Sequence, residues 1–176
     1  MREPGGPAGA TALLVDVDPM VLVTAGARGR LQALAGDPSP SGCTLVLVLE
    51  PPAGEGPEAL PVDLLTDLLV PGRIELGLKV QDPGGLSAER IRRLGFSFLL
   101  LPAGPLRAHS PDDPVDPALT ALFEDCRRAG VSVVVEGVDG ERILLDVLDY
   151  PVELACGALF APAEEAAARG RTRRVA

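Results

Sequence analysis

An α/β fold built around a parallel sheet is predicted by three features of the sequence. Short apolar runs alternate with longer amphipathic ones, the apolar runs are continuous, and Pro or Gly marks almost every junction. Continuous apolar strands are buried on both faces, as a parallel sheet covered by its own crossover helices requires. The pattern fits a partial TIM-like barrel of about six βα units or, alternatively, an open parallel sheet. Strand count alone does not choose between them.

The first strand spans Thr11–Val17 (TALLVDV) and ends at Asp18-Pro19. A helical stretch to about Ala35 follows, weakened by Gly26 and Gly29. The second strand, Thr44–Glu50, stops at Pro51-Pro52, and Leu60, Leu64, Leu65, Leu68 and Leu69 then recur at helical spacing between Glu58 and Val70. The third strand, Ile74–Val80, leads into the loop Gln81–Gly85. Ser87 is placed to cap a helix over Ala88–Leu94, with Gly95 at its C′ position.

Phe96–Leu101 forms the fourth strand, stopped by Pro102. Asp116 caps the helix Pro117–Ala129, Pro117 opens it and Gly130 ends it, leaving Val131–Glu136 as the fifth strand. A helix over Gly140–Leu148, a sixth strand over Glu153–Phe160 and a short helix from about Ala163 complete the series. The expected organisation is a disordered N-terminus (1–10), one domain (11–168) and a disordered basic tail (169–176) carrying Arg169, Arg171, Arg173 and Arg174.

At 176 residues the chain suits one domain with a sizeable core. Aromatics are only 3% and Trp is absent, so Leu, Val and Ala must build that core. The net charge of −9 argues against nucleic acid as a partner, because binding it requires positive charge to replace phosphate counterions. No run approaches the roughly 18 apolar residues of a membrane span. The opening MREPGGPAGA lacks the apolar stretch of a secretory signal, so a cytoplasmic protein is expected.

Cys43, Cys126 and Cys156 are odd in number and without CxxC spacing, which points to reduced thiols. The single histidine, His109, lies in the loop RAHSPDDP beside Ser110, Asp112 and Asp113. Neighbours on one loop do not converge as a catalytic triad, so His109 reads as a surface histidine. No GxGxxG or GxxxxGK[ST] follows any strand, which removes the usual nucleotide-binding readings. Arg90, Arg92 and Arg93 read as the solvent face of a short helix, and Lys79 is the only lysine.

Right-handed crossovers bring the C-terminal ends of all strands to one rim. The polar residues there are Asp16, Asp18, Glu50, Gln81, Asp82, Glu136 and Asp139. Acidic groups converging on one mouth point to a divalent-metal or polar-ligand site. The alternative is that strand ends turn polar simply because they reach solvent.

The stretch Val131–Ala166, VSVVVEGVDGERILLDVLDYPVELACGALFAPAEEA, resembles the C-terminal end of the EAL-type cyclic-diguanylate phosphodiesterases. There a strand reads VVAEGVET and a later segment CDxxQGYLF; Glu136-Gly137-Val138 matches EGV, and Cys156–Phe160 falls on QGYLF. Upstream, LLVDVDP resembles INVSP, LVLVLEPPA resembles LTLEITES, GLKVQDPGGL resembles ALDDFGTGYSSL, and RLGFSFLLLPAGPLRA resembles LPVDYLKIDRSFV. The five segments keep the family's order and cover about residues 11 to 168. The resemblance implies the last six βα units of a TIM-like barrel, with no counterpart for the first two or for the EAL signature.

The family's chemistry, as the resemblance implies it, hydrolyses cyclic diguanylate with two divalent metals held by acidic residues and an Asn, with a Lys assisting the water. Carried over, the Asn position is Asp16, and the LEITE glutamate is Glu50. The paired aspartates fall on Val80 and Gln81, or on Gln81 and Asp82. The lysine position is Leu100, followed by Pro102 in place of an aspartate. Glu136 is kept, the second acid of EGVE becomes Asp139, and the Gln of QGY becomes Cys156. Residues that act as a unit fail together, so no catalytic residue is expected.

Asp16, Glu50, Asp82, Glu136 and Asp139 then form a vestigial rim, with no cofactor and with Mg2+ only if that rim binds a ligand. The expected function is a catalytically inactive, degenerate EAL-like module in bacterial signalling. It would act through a protein partner or a homodimer, since exposed sheet edges call for covering. The alternative is a non-hydrolysing sensor of cyclic-di-GMP.

Overall fold

The computed structural model describes residues 11–36, 43–69, 73–106 and 115–160. The expected disordered ends, the loop of His109 and the helix from Ala163 lie outside these residues. Six strands are present: β1 Thr11–Asp16, β2 Cys43–Leu49, β3 Ile74–Lys79, β4 Phe96–Pro102, β5 Ser132–Glu136 and β6 Leu154–Ala155. All neighbours are parallel, and the order across the sheet is the order along the chain. Each crossover therefore advances the same way round, with no switch point of the doubly wound kind. The result is a curled half-barrel, open between β1 and β6 among the described residues.

The helices follow their capping chemistry. Asp18 accepts from Met20 N at 2.8 Å to open α1, Pro19–Leu22, and α2 runs Ala25–Gly36 despite its internal glycines. Ser87 accepts from Arg90 N to start α3, Ala88–Arg93. Asp116 accepts from Ala118 N at 2.8 Å to start α4, Pro117–Ala129, which ends at Gly130 with φ 72°. Gly140 precedes α5, Glu141–Leu148.

Two expectations need correction. The leucines between Glu58 and Val70 do not form an α-helix: the segment makes two 3₁₀ stretches, Pro57–Ala59 and Val62–Leu68, of which the second holds Leu64, Leu65 and Leu68, while Leu60 and Leu69 are extended at their ends. Pro61 has no N–H and holds Leu60 extended, so the first turn cannot continue into the second. The Arg90 guanidinium grips Glu58, tying the first stretch to α3. The sixth strand is also short: pairing stops at Ala155, and the chain turns over Gly157–Phe160 instead of running on to Phe160 as strand.

Period-two alternation divides the strand residues between two cores. On the helix-covered side, Leu47, Leu49, Leu76, Leu78, Leu99, Leu101, Val133 and Val135 join Ile91, Phe123 and Cys126 in the main core. On the concave side, Val46, Val48, Leu100 and Val134 bury one another, with Leu14, Phe98 and Cys156 packed against them. Gly77 makes this possible, because a Cβ there would meet Leu100 Cδ1 at 2.9 Å. Curvature thus lets the inner face form a small core of its own.

The outer face of β1 is different. Leu13 is 51% exposed and Val15 37%, and the neighbouring Met20 and Val21 of α1 are 71% and 50% exposed. No described strand pairs with the free edge of β1. No helix among the described residues is long and apolar enough to cross a membrane.

Candidate functional site

The rim formed by the strand C-termini gathers most of the acidic positions singled out in the sequence. Asp16 closes β1 and Glu136 closes β5, four strands apart in the sheet. Both face Lys79, the last residue of β3: its Nζ lies 3.0 Å from Glu136 Oε2 and 3.5 Å from Asp16 Oδ1. In a flat sheet β3 would stand about 10 Å from each of those strands, so it is the curl that draws the three together. The Lys79 side chain is 21% exposed, Glu136 27% and Asp16 74%.

Glu136 is therefore the closer and better-shielded partner. Its hydrogen bond holds the Lys79 ammonium above the usual lysine range against the opposing effect of partial burial, and the charges of Glu136 and Asp16 add to it.

The remaining acids are engaged separately. Glu50, just past β2, accepts from Gln81 Nε2 at 2.9 Å. Asp82 turns onto its own loop and accepts from Gly84 N at 2.8 Å. Asp139 accepts from Ala158 N at 2.8 Å, across to the segment after β6. Asp18 caps α1 and takes no part in the mouth. Leu100 and Pro102 stand at the end of β4; Leu100 is buried on the concave face and Pro102 is half-buried.

Cys156 lines the same face, its thiol pushed up by burial and by the charge of Glu136. Cys126 is buried under α4, and both are free thiols.

Sequence reasoning missed Lys79, which was noted only as the single lysine. The signal was available in the alternation of β3: Leu76 and Leu78 point into the main core, so Gly77 and Lys79 must point to the concave side.

The two motifs that carry the resemblance meet in space. Val138 N donates to Cys156 O at 3.0 Å, Leu159 N to Val138 O at 3.2 Å, and Cys156 N to Val135 O at 2.8 Å. Gly137 has φ 77° and Val138 is fully buried. A Cβ on Gly157 would lie 2.3 Å from Val138 O and 2.4 Å from Val138 N, so only glycine fits. EGV and CGALF are thus a backbone joint that closes the end of the sheet.

No protein-family model matches the sequence, and no curated protein matches it. Solved structures do match in fold. The PaMucR phosphodiesterase in complex with c-di-GMP superposes with a TM-score of 0.63 at 20% identity, over 86% of this chain and 68% of that one. The EAL domain of Mycobacterium smegmatis DcpA gives 0.64 at 21% identity, over 92% and 75%. The Bacillus subtilis YkuI protein, which has an EAL domain and is in complex with substrate c-di-GMP and calcium, gives 0.62 at 14% identity. The chain spans 85% of its own length in that match and 39% of YkuI. The fold of this chain is an EAL-like one.

Each carboxylate singled out on the rim already has a partner within the chain. Glu136 and Asp16 face an ammonium, Glu50 an amide, and Asp82 and Asp139 backbone N–H groups. Among the described residues no group of three or more His, Cys, Asp or Glu is arranged to hold a metal ion.

Proposed function

We propose that this chain is a non-hydrolysing EAL-fold module that works in cyclic-di-GMP signalling by docking on protein, with the apolar outer edge of β1 as its contact. The observation that carries the reading is that edge: Leu13 and Val15 are exposed on a strand whose outer backbone groups have no described partner, and Met20 and Val21 are exposed on α1, the helix that follows it. An open apolar edge strand is a template for association unless something covers it.

Support for the loss of hydrolysis comes from the site. Where the resemblance implies a lysine and an aspartate on one strand, this chain has Leu100 and Pro102. Where it implies paired aspartates, on Val80 and Gln81 or on Gln81 and Asp82, at most one carboxylate remains, and the residue just before them, Lys79, places a cation in the mouth. The kept EGV and CGALF residues are accounted for by their backbone joint, so their presence argues for the fold and not for turnover.

The test pairs turnover with association. Purified protein is incubated with cyclic-di-GMP and Mg2+ and assayed for linear product, while light scattering follows its mass before and after Leu13→Asp. The expected result is no product, together with an association that Leu13→Asp abolishes. Product formation at the level of an EAL phosphodiesterase overturns the reading. Calorimetric binding of cyclic-di-GMP that Glu136→Gln removes, from a protein that stays monomeric, replaces docking with the sensor reading.

A further inference from the structure

Among the described residues, the rim holds a cation of its own. Lys79 rises from the middle strand of the half-barrel, and its ammonium lies between carboxylates contributed by β1 and β5. A side chain from the central strand can reach both only across the concave mouth. Without that ammonium, Asp16 and Glu136 would face each other over a low-polarity floor of Val46, Val48, Leu100 and Val134. Like charges brought together there raise the energy of the fold unless a cation sits between them.

We propose that Lys79 is a tethered counter-ion that stands in this mouth in place of a divalent metal, so that the acidic rim is neutralised by the chain itself. The inference rests on the reading of the chain as a non-hydrolysing module and deepens it, naming the residue that makes the mouth independent of metal. An ammonium carries one positive charge and donates hydrogen bonds, whereas a divalent ion needs several oxygen ligands at once. The Nζ partners at 3.0 and 3.5 Å satisfy the first requirement. The dispersal of Glu50, Asp82 and Asp139 onto other donors leaves the second unmet. Changing Lys79 to an acid removes the counter-ion and adds a third carboxylate to Asp16 and Glu136.

The experiment uses Mn2+ alone as probe, read by the paramagnetic resonance of the free ion, with circular dichroism to establish that each protein is folded. The wild-type chain is expected to show no saturable site that depends on Glu136. Lys79→Asp is expected to gain one, tighter than any wild-type binding by on the order of tenfold or more, because affinity follows the ligand charge count. Adding Glu136→Gln to Lys79→Asp should remove it.

A wild-type Mn2+ site that Glu136→Gln abolishes overturns the inference, and so does a folded Lys79→Asp that gains nothing. If Lys79→Asp does not fold, Lys79→Met carries the test. Its melting temperature should fall and be restored by Mn2+ but not by NaCl of equal ionic strength; no response to Mn2+ overturns the inference. None of these readouts measures association, so the docking reading stands or falls separately.

Discussion

Gly157 and Cys126 show how far single residues constrain this chain. At Gly157 the limit is steric: an added methyl would overlap the carbonyl oxygen, nitrogen and carbonyl carbon of Val138, all within 2.5 Å of it. Backbone atoms cannot rotate away as a side chain can, so Gly157→Ala is expected to cost about 3 kcal/mol, at the upper end of overpacking. Urea unfolding checks it. At Cys126 the limit is solvation: burial first, and the charge of Asp125 second, push the thiol from 9.0 to about 11.

The folded state therefore holds the Cys126 proton more tightly than the unfolded chain does. Its contribution to stability is fully present below pH 9.0 and is lost as pH rises through about 11. A series of urea midpoints across that window should fall for the wild type and fall less for Cys126→Ala. Both effects are invisible in composition, because one depends on the backbone 19 residues earlier and the other on the packing of α4.

Among the elements, α4 was the most legible. Asp116, Pro117 and Gly130 mark its ends in the sequence, and the structure places the helix over Pro117–Ala129 with those residues in those roles. Asp116 accepts from Ala118 N and Leu119 N, while its own N–H donates to the Tyr150 hydroxyl at 3.1 Å. Asp116→Ala removes the cap and should lower stability by about 1 kcal/mol, seen as a lower urea midpoint with an unchanged slope. The leucine-rich stretch before β3 was misread because periodicity ignores Pro61. The strand after Tyr150 was read too long because Cys156–Phe160 is apolar for a different reason, its docking on Val138.

The whole molecule adds the curl and the open edge. Leu13→Asp alters a side chain already 51% exposed in the free chain, so it should change stability by no more than about 0.5 kcal/mol while abolishing association. Equal losses of stability and association would mean that Leu13 serves the chain's own fold. The concave core belongs to this scale too. Leu100 and Val134 are partners on adjacent strands, but Val46 and Val48 from β2 join them across β3 because the sheet bends and Gly77 leaves the space between open.

By itself the sequence determined the parallel α/β class, all six strands in place if not in length, and the acidic character of the rim. Those follow from local pattern: continuous apolar runs, caps and breakers act over a few residues and are written where they act. Only the tertiary structure decided what the rim does with its charges. Lys79 meets Glu136, 57 residues on, and Asp16, 63 residues back, because parallel strands taken in chain order curl into a half-barrel. Curvature is a property of the sheet as a whole, so no segment of the sequence could announce that meeting.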